Sequence, residues 1–288
     1  MTARGEIRRV CVVGAGHMGG QIAHQAALHG FDVLLCSRTE ARLAAAREES
    51  AKLLRRRVEK GKLEPDRCEA ALARVSTTTD LAAAVDGAHV IIESVVEDRA
   101  VKRDVLCAIA EHANDDAIIG SNSSTLPSSM FAGSLPNAGR LLNVHFFNPA
   151  LMMQLVEVVR GSHTEAATLE RAVEFARAIG KTPIVVEKES FGFLANRMLF
   201  IALQEAYHLA EQGYVSIDDC DVAVRNALGW PMGPFELSDL VGLDVVEAIL
   251  AEGRAQTGEA RWEPPALLRG RVERGELGRK TKKGFREY

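Results

Sequence analysis

A chain of 288 residues that is 47% hydrophobic and 26% charged can bury a large core, and it sits at the length where one domain tends to become two. It has no low-complexity stretch, and a net charge of -4 gives no bulk reason to expect nucleic acid or an anionic membrane as partner. Cys11, Cys36, Cys68, Cys107 and Cys220 are odd in number and widely spaced. They read as thiols of a reducing compartment, with no spacing that resembles a zinc site or a redox pair, so no metal is expected. The opening MTARGEIRRV lacks the apolar stretch of a secretory signal, and no run reaches the roughly 20 apolar residues that cross a bilayer. The cytoplasm is the expected location.

In chain order, Ile7 to Val13 predicts a short apolar strand. It runs into Gly14-Ala15-Gly16-His17-Met18-Gly19-Gly20 and then a helical stretch from Gln21 to His29. A lone G-x-G-x-x-G is weak evidence, but strand, glycine turn and helix in this order are the context that makes it a dinucleotide site. Gly14 permits the tight turn, Gly16 lets a pyrophosphate approach the backbone, and Gly19 allows close helix packing, with His17 and Met18 between them. The helix N-terminus offers its unbonded N–H groups to the phosphates.

A second strand is predicted from Asp32 to Cys36, and its end should meet the adenine ribose. NAD sites usually place an acid here, about 20 residues beyond the glycines. This chain has Ser37 and Arg38 instead. A hydroxyl and a planar guanidinium suit a 2′-phosphate, so NADP is the favoured cofactor and NAD the alternative, with Arg38 then a solvated surface residue.

Residues 40–60 read as a long charged helix in which Arg55, Arg56 and Arg57 form a solvated face. Short strands follow near Arg74 to Thr77, Ala88 to Glu93, Ile118 to Gly120 and Leu141 to Phe146, with a helix over Val101 to His112. Late strands fall at Val156 to Val159 and Ile184 to Val186, flanking a helix from Thr164 to Ile179. This alternation predicts an α/β fold with a Rossmann-type, doubly wound and mainly parallel sheet. Ligands bind beyond the strand C-termini in such sheets, which selects 93–102, 121–125 and 145–149 as site loops.

The character changes near Glu187. Ala195, Met198, Leu199, Ala202, Ala206 and Leu209 recur at helical intervals, and a second helix is expected from Phe235 to Leu250 after a Trp230-Pro-Met-Gly-Pro234 break. The domains are therefore placed at 1–186 and 187–288, the second all-helical, with apolar surface available for a second copy.

Two features resist assignment to packing. Ser121-Asn122-Ser123-Ser124-Thr125 is a dense polar run after an apolar strand, and His145 ends another strand just before Phe146-Phe147-Asn148-Pro149. An isolated His here is more often structural, but alcohol oxidation beside a dinucleotide needs a base near neutral pKa. Glu157, twelve residues on, is placed to hold the second imidazole nitrogen and stabilise an imidazolium. Ser124 and Asn196 are further candidates for contact with the alcohol oxygen.

These motifs, in this order and spacing, resemble the L-3-hydroxyacyl-CoA dehydrogenase family over essentially the whole chain. The supporting segments are Val13-Gly-Ala-Gly-His-Met-Gly19, Ile92-Glu-Ser-Val-Val-Glu97 with Lys102, Ser121-Asn-Ser-Ser124, and Val144-His-Phe-Phe-Asn-Pro149 leading to Leu155-Val-Glu-Val158. Gly192-Phe-Leu-Ala-Asn-Arg197, Met232-Gly-Pro-Phe-Glu236 with Asp239 and Gly242-Leu-Asp244, and the terminal Gly278-Arg-Lys-Thr281 with Gly284-Phe285 complete them. The resemblance implies His145 as catalytic base, Glu157 as its partner, and Ser124 and Asn196 at the substrate. It places Glu97, Lys102 and Asn122 with the cofactor site, and CoA phosphates become a second use for the arginines at 55–57. It also implies an acyl-CoA substrate in fatty acid metabolism, short-chain ones such as 3-hydroxybutyryl-CoA included, and a homodimer joined through the helical domain. Ser37-Arg38, Phe191 in place of a proline, and Lys282-Lys283 depart from the family pattern. The other readings are a dehydrogenase of non-CoA hydroxy acids of the gulonate type and an inactive nicotinamide-binding protein.

Overall fold

Short runs of valine, isoleucine and leucine become the strands of one eight-stranded sheet, and the amphipathic segments between them become helices on its two faces. In the computed structural model, which describes residues 7–288, the first unit ends at Ser190 and the second runs from Phe191 to Tyr288. Most of the opening segment, read above as carrying no leader, lies outside the described residues. The first unit comprises β1 (Arg9–Val13), α1 (His17–Leu28), β2 (Asp32–Cys36), α2 (Glu40–Glu59), α3 (Pro65–Ala73), β3 (Val75–Thr78), α4 (Leu81–Val85) and β4 (Val90–Glu93). It continues with α5 (Arg99–His112), β5 (Ile118–Ser121), α6 (Ser129–Ala132), β6 (Leu141–Phe146), β7 (Leu155–Val159), α7 (Ala166–Ala178) and β8 (Thr182–Val186).

The strand order is β3-β2-β1-β4-β5-β6-β7-β8, with every neighbouring pair parallel except β6 and β7. The sheet is thus the mainly parallel, doubly wound one that the alternation predicts. The chain reverses its direction of winding between β1 and β4, and the crevice beyond their C-terminal ends is where such folds take their ligands. Both faces are apolar, as a covered parallel sheet requires. Val10 and Val12 join Ile22, Ala26 and Phe175 on one face, while Cys11 and Val13 join Leu106, Ile109 and Phe131 on the other.

Two local expectations for the first unit are corrected. Helix α1 begins at His17, not Gln21, because the glycines that disguise it as loop are tolerated where its first turn packs on the strand end. The short α3 escaped notice behind a proline, which occupies the first helical position where its missing N–H costs nothing.

The second unit contains α8 (Ala195–Glu211), α9 (Ile217–Leu228), α10 (Pro234–Val241), α11 (Leu243–Thr257) and α12 (Ala266–Glu273). The single helix expected from Phe235 to Leu250 is two, broken at Gly242, whose φ of 103° no helix accommodates. Leu203, Tyr207, Phe235, Leu250, Trp262 and Phe285 form its core. Phe191, the residue that replaces a proline, meets Trp262 edge-on at 4.9 Å, so it serves as a packing anchor of this unit. Lys283 pairs with Glu276 at 3.0 Å, and Lys282 takes a left-handed turn at φ 60°. No helix among the described residues is long and apolar enough to cross a membrane.

Candidate active site

The glycine turn has the backbone geometry that a dinucleotide needs. Gly14 has φ 115° and donates its N–H to Cys36 O at 2.8 Å, tying β1 to the end of β2. A Cβ on Gly14 would lie 2.4 Å from Ser94 O, and one on Gly19 would lie 1.8 Å from Gly14 O, so neither position accepts another residue without the turn moving. Gly16 has open space around it, with nothing within 4 Å of a Cβ built there. Those three demands fit a pyrophosphate laid over Gly16 against the start of α1, where the first N–H groups have no helical partner. The partly buried Met18 side chain packs against the core. The His17 ring is half exposed, and its Nε2 lies 2.8 Å from Asn148 Oδ1.

A cavity of about 330 Å³ extends from Gly14 and Gly16 to Ser37 and Arg38. Val95, Val96, Val101 and Val105 line one side with apolar surface, as an adenine requires. Arg42, in the first turn of α2, lines it too and was missed by sequence reasoning, which stopped at the strand end. Among the described residues the side chains of Arg38 and Arg42 make no hydrogen bond or ion pair. Asp104 also reaches this cavity, with its carboxylate held by Arg103 at 2.8 Å.

Beyond β4 lies a dense polar network. The Glu93 carboxylate is fully buried and accepts from Val95 N at 2.7 Å, Lys102 Nζ at 2.9 Å and Ser121 Oγ at 2.7 Å. Lys102, 1% exposed, also pairs with Glu97 Oε2 at 3.2 Å. Glu97 Oε1 accepts from Ser123 Oγ, from Ser124 N and Thr125 N at 3.0 Å each, and from Thr125 Oγ1 at 2.9 Å. Partial burial pushes the Glu97 carboxyl up, but the Lys102 ammonium and these donors outweigh it and hold it below the ordinary carboxylate range. Of the three residues that the family resemblance placed with the cofactor, Glu97 thus spends a carboxylate oxygen on the turn that presents Ser124, and Lys102 spends its ammonium on Glu93 and Glu97. Asn122 is similarly engaged: its amide donates to Ser94 Oγ at 3.2 Å and accepts from Phe146 N at 2.9 Å, tying the ends of β4, β5 and β6.

His145 and Glu157 are direct cross-strand partners in the antiparallel β6–β7 pair, which puts their side chains on one face. Nδ1 of His145 lies 2.8 Å from Oε2 of Glu157, with the Glu157 side chain fully buried and that of His145 6% exposed. Phe147 leans on the imidazole at 4.5 Å between ring centroids. The carboxylate selects the tautomer with the proton on Nδ1, leaving Nε2 as the basic nitrogen. Asn196, the last of the candidates, is the second residue of α8 in the helical unit.

Fold and site together define a nicotinamide-dinucleotide oxidoreductase built on a Rossmann-type sheet, with a helical second domain. Residues 9–190 match the 3-hydroxyacyl-CoA dehydrogenase NAD binding domain, and residues 192–288 match the C-terminal domain of the same family. The chain belongs to the 3-hydroxyacyl-CoA dehydrogenase family. It is 38% identical to a 3-hydroxybutyryl-CoA dehydrogenase of Mycobacterium tuberculosis over 98% of this chain and 99% of that one. It is 36% identical to the mitochondrial hydroxyacyl-coenzyme A dehydrogenase of Rattus norvegicus, over 98% and 91%. The crystal structure of (S)-3-hydroxybutyryl-CoA dehydrogenase PaaH1 from Ralstonia eutropha superposes with a TM-score of 0.94 at 32% identity, covering 98% of this chain and 99% of that one.

Proposed function

We propose that the protein interconverts (S)-3-hydroxyacyl-CoA and 3-oxoacyl-CoA with a nicotinamide cofactor, on short-chain substrates such as 3-hydroxybutyryl-CoA. The observation that carries this is the His145–Glu157 pair, 2.8 Å apart at the ligand-binding end of a dinucleotide fold. A nicotinamide cofactor held at the glycine turn would supply the hydride acceptor for the C3 hydrogen of the substrate. His145 Nε2 takes the hydroxyl proton as the C3–O bond becomes a carbonyl, and in the reverse direction it returns that proton as a general acid. Glu157 fixes the ring and stabilises the imidazolium. Ser124 and Asn196 act as hydrogen-bonding partners of the substrate oxygen. Glu97 supports the cofactor and substrate site by holding the turn at 123–125, and Lys102 supports it by pairing with Glu97 and Glu93.

Ser37, Arg38 and Arg42 favour NADP over NAD, because a 2′-phosphate gains charge-assisted bonds from two guanidiniums that bond no other group among the described residues. The helical domain, taken as 187–288, is the substrate and dimerisation domain of a cytoplasmic homodimer. Tyr214, Val222, Leu228 and Leu240 support that reading, since their exposure of 45–74% is high for large apolar side chains.

Acetoacetyl-CoA reduction with NADH and with NADPH tests the whole reading. Turnover is expected, faster per unit affinity with NADPH, and Arg38→Ser should shift kcat/KM toward NADH by about 10-fold or more. A strong preference of the unaltered enzyme for NADH would overturn the cofactor assignment. Activity on sugar acids with none on acyl-CoA would overturn the substrate, and no turnover of either would leave an inactive binder.

A further inference from the structure

The chain between His145 and Glu157 is held from outside by cations, and this has a consequence for the pair. Residues 147–154 connect β6 to β7 without forming a helix or strand, so the position of Glu157 opposite His145 depends on how that connection is fixed. Lys181, the residue before β8, is 6% exposed and donates from Nζ to Ala150 O at 2.6 Å and to Met153 O at 2.8 Å. Arg57 of α2 donates to Leu151 O at 3.1 Å, and Leu151 N donates to Gln21 Oε1 of α1 at 3.3 Å. Three elements of the sheet's surroundings thus grip the backbone of one irregular segment. The next register position in the sheet continues the grip: Thr182 N bonds Gln154 O at 2.8 Å, and Thr182 is paired with Leu155 at the start of β7.

We propose that Lys181 is a positioning residue for the reaction, acting through the backbone of residues 150–153 to hold Glu157 in register with His145. The proposal rests on the reading of that pair as catalytic. An ammonium is a costly group to bury, and an apolar side chain of the same length would fill the space more cheaply. What the ammonium supplies is two bonds to carbonyls on opposite sides of a turn, which no apolar residue makes. Burial pushes Lys181 down to about 8, and the Arg57 guanidinium pushes it the same way, so the site tolerates two cations side by side to keep three carbonyls bound. Arg140 offers an internal comparison. It is also buried, and it also ties backbone carbonyls, those of Ala110 and Ala113 at 2.7 and 3.2 Å, but it does so just before β6, at the opposite end of the strand from His145.

The test compares full-length Lys181→Met, Arg57→Ala and Arg140→Met for acetoacetyl-CoA reduction, for binding of the reduced cofactor, for melting temperature, and for the low-field imidazole N–H proton resonance that His145→Gln abolishes. Loss of register should lower kcat of Lys181→Met by about 10- to 100-fold, with KM and cofactor Kd within about 2-fold, since small displacements of reacting groups have effects of that size. The low-field resonance should shift or broaden. Arg57→Ala, which removes a partly exposed group and leaves folding secure, should move the same two readouts less. Arg140→Met should lower the melting temperature with kcat and the resonance unchanged. Unchanged kcat and resonance in folded Lys181→Met, or equal losses in Arg140→Met, would overturn the proposal. If Lys181→Met does not fold, an Arg57→Ala variant with unaltered kcat and resonance overturns it as well. A missing acyl-CoA activity in the unaltered enzyme would instead overturn the functional reading, while the resonance would still report whether Lys181 holds the pair.

Discussion

Each unit of the protein buries carboxylates completely, and of Glu93, Glu157, Asp221 and Asp239 only Glu157, in the sheet unit, has an imidazole for a partner. In the sheet unit Glu93 meets the Lys102 ammonium and Glu157 meets the His145 imidazole. In the helical unit Asp239 accepts from Phe285 N, Arg286 N and the Tyr288 hydroxyl, and Asp221 accepts from Phe235 N, Glu236 N and the Arg286 guanidinium. Backbone amides and arginine do not change protonation state near neutral pH, so these acids of the helical unit tie the chain together, closing the C-terminal segment onto α9 and α10. An imidazole, by contrast, is the side chain suited to taking up and giving back a proton. What sets the proposed catalytic carboxylate apart is therefore its partner and not its burial.

The comparison makes predictions of decreasing size. His145→Gln should lower kcat by about 10²- to 10⁴-fold with the fold intact, because a positioned general base contributes that much. A melting curve near that of the unaltered protein alongside undiminished kcat would break the contrast at its strongest point. Glu157→Gln should cost about 10²-fold, since an amide presents a donor where the carboxylate selects the Nδ1–H tautomer. Asp239→Asn should lower stability by about 1–3 kcal/mol, read by urea unfolding, because one of its backbone donors then faces an NH2 group. In the molecules that remain folded, kcat should be unaltered; a drop in turnover with no loss of stability would remove the distinction between the two units.

The smallest effect concerns Glu97, whose carboxyl is held below its ordinary value of 4.5. A group depressed in the folded state contributes stability above its unfolded pKa and loses it as pH falls through the folded value. The stability difference between the unaltered protein and Glu97→Gln should therefore be constant from neutral pH down to about 5 and shrink below it. Denaturant midpoints across that range check the sign, and a difference that grows toward acid would contradict it.

Much of this arrangement is legible in the sequence, for local reasons. The strands Asp32–Cys36 and Leu141–Phe146 are bounded by breaks in apolar character, and their ends coincide with those in the structure. Gly14, Gly16 and Gly19 are legible because their demands are met within a few residues. His145 and Glu157 are legible because each sits in an apolar strand where a charge has no packing role. What is not legible depends on long-range contact with backbone. Glu97 meets amides 27 and 28 residues away, and Lys181 meets carbonyls 28 and 31 residues away. Backbone groups carry no residue-type signal, so spacing offers no hint of either. Arg42 escaped because a helix's first turn, and not the strand end, brings it to the cavity.

The central claim is that His145 and Glu157 act as one proton-handling unit. Single-turnover reduction of acetoacetyl-CoA by His145→Gln, Glu157→Gln and the double variant tests this most directly. Residues acting as a unit lose their function together, so the double variant should be no slower than His145→Gln alone. Losses that multiply would show two independent contributions and contradict the account.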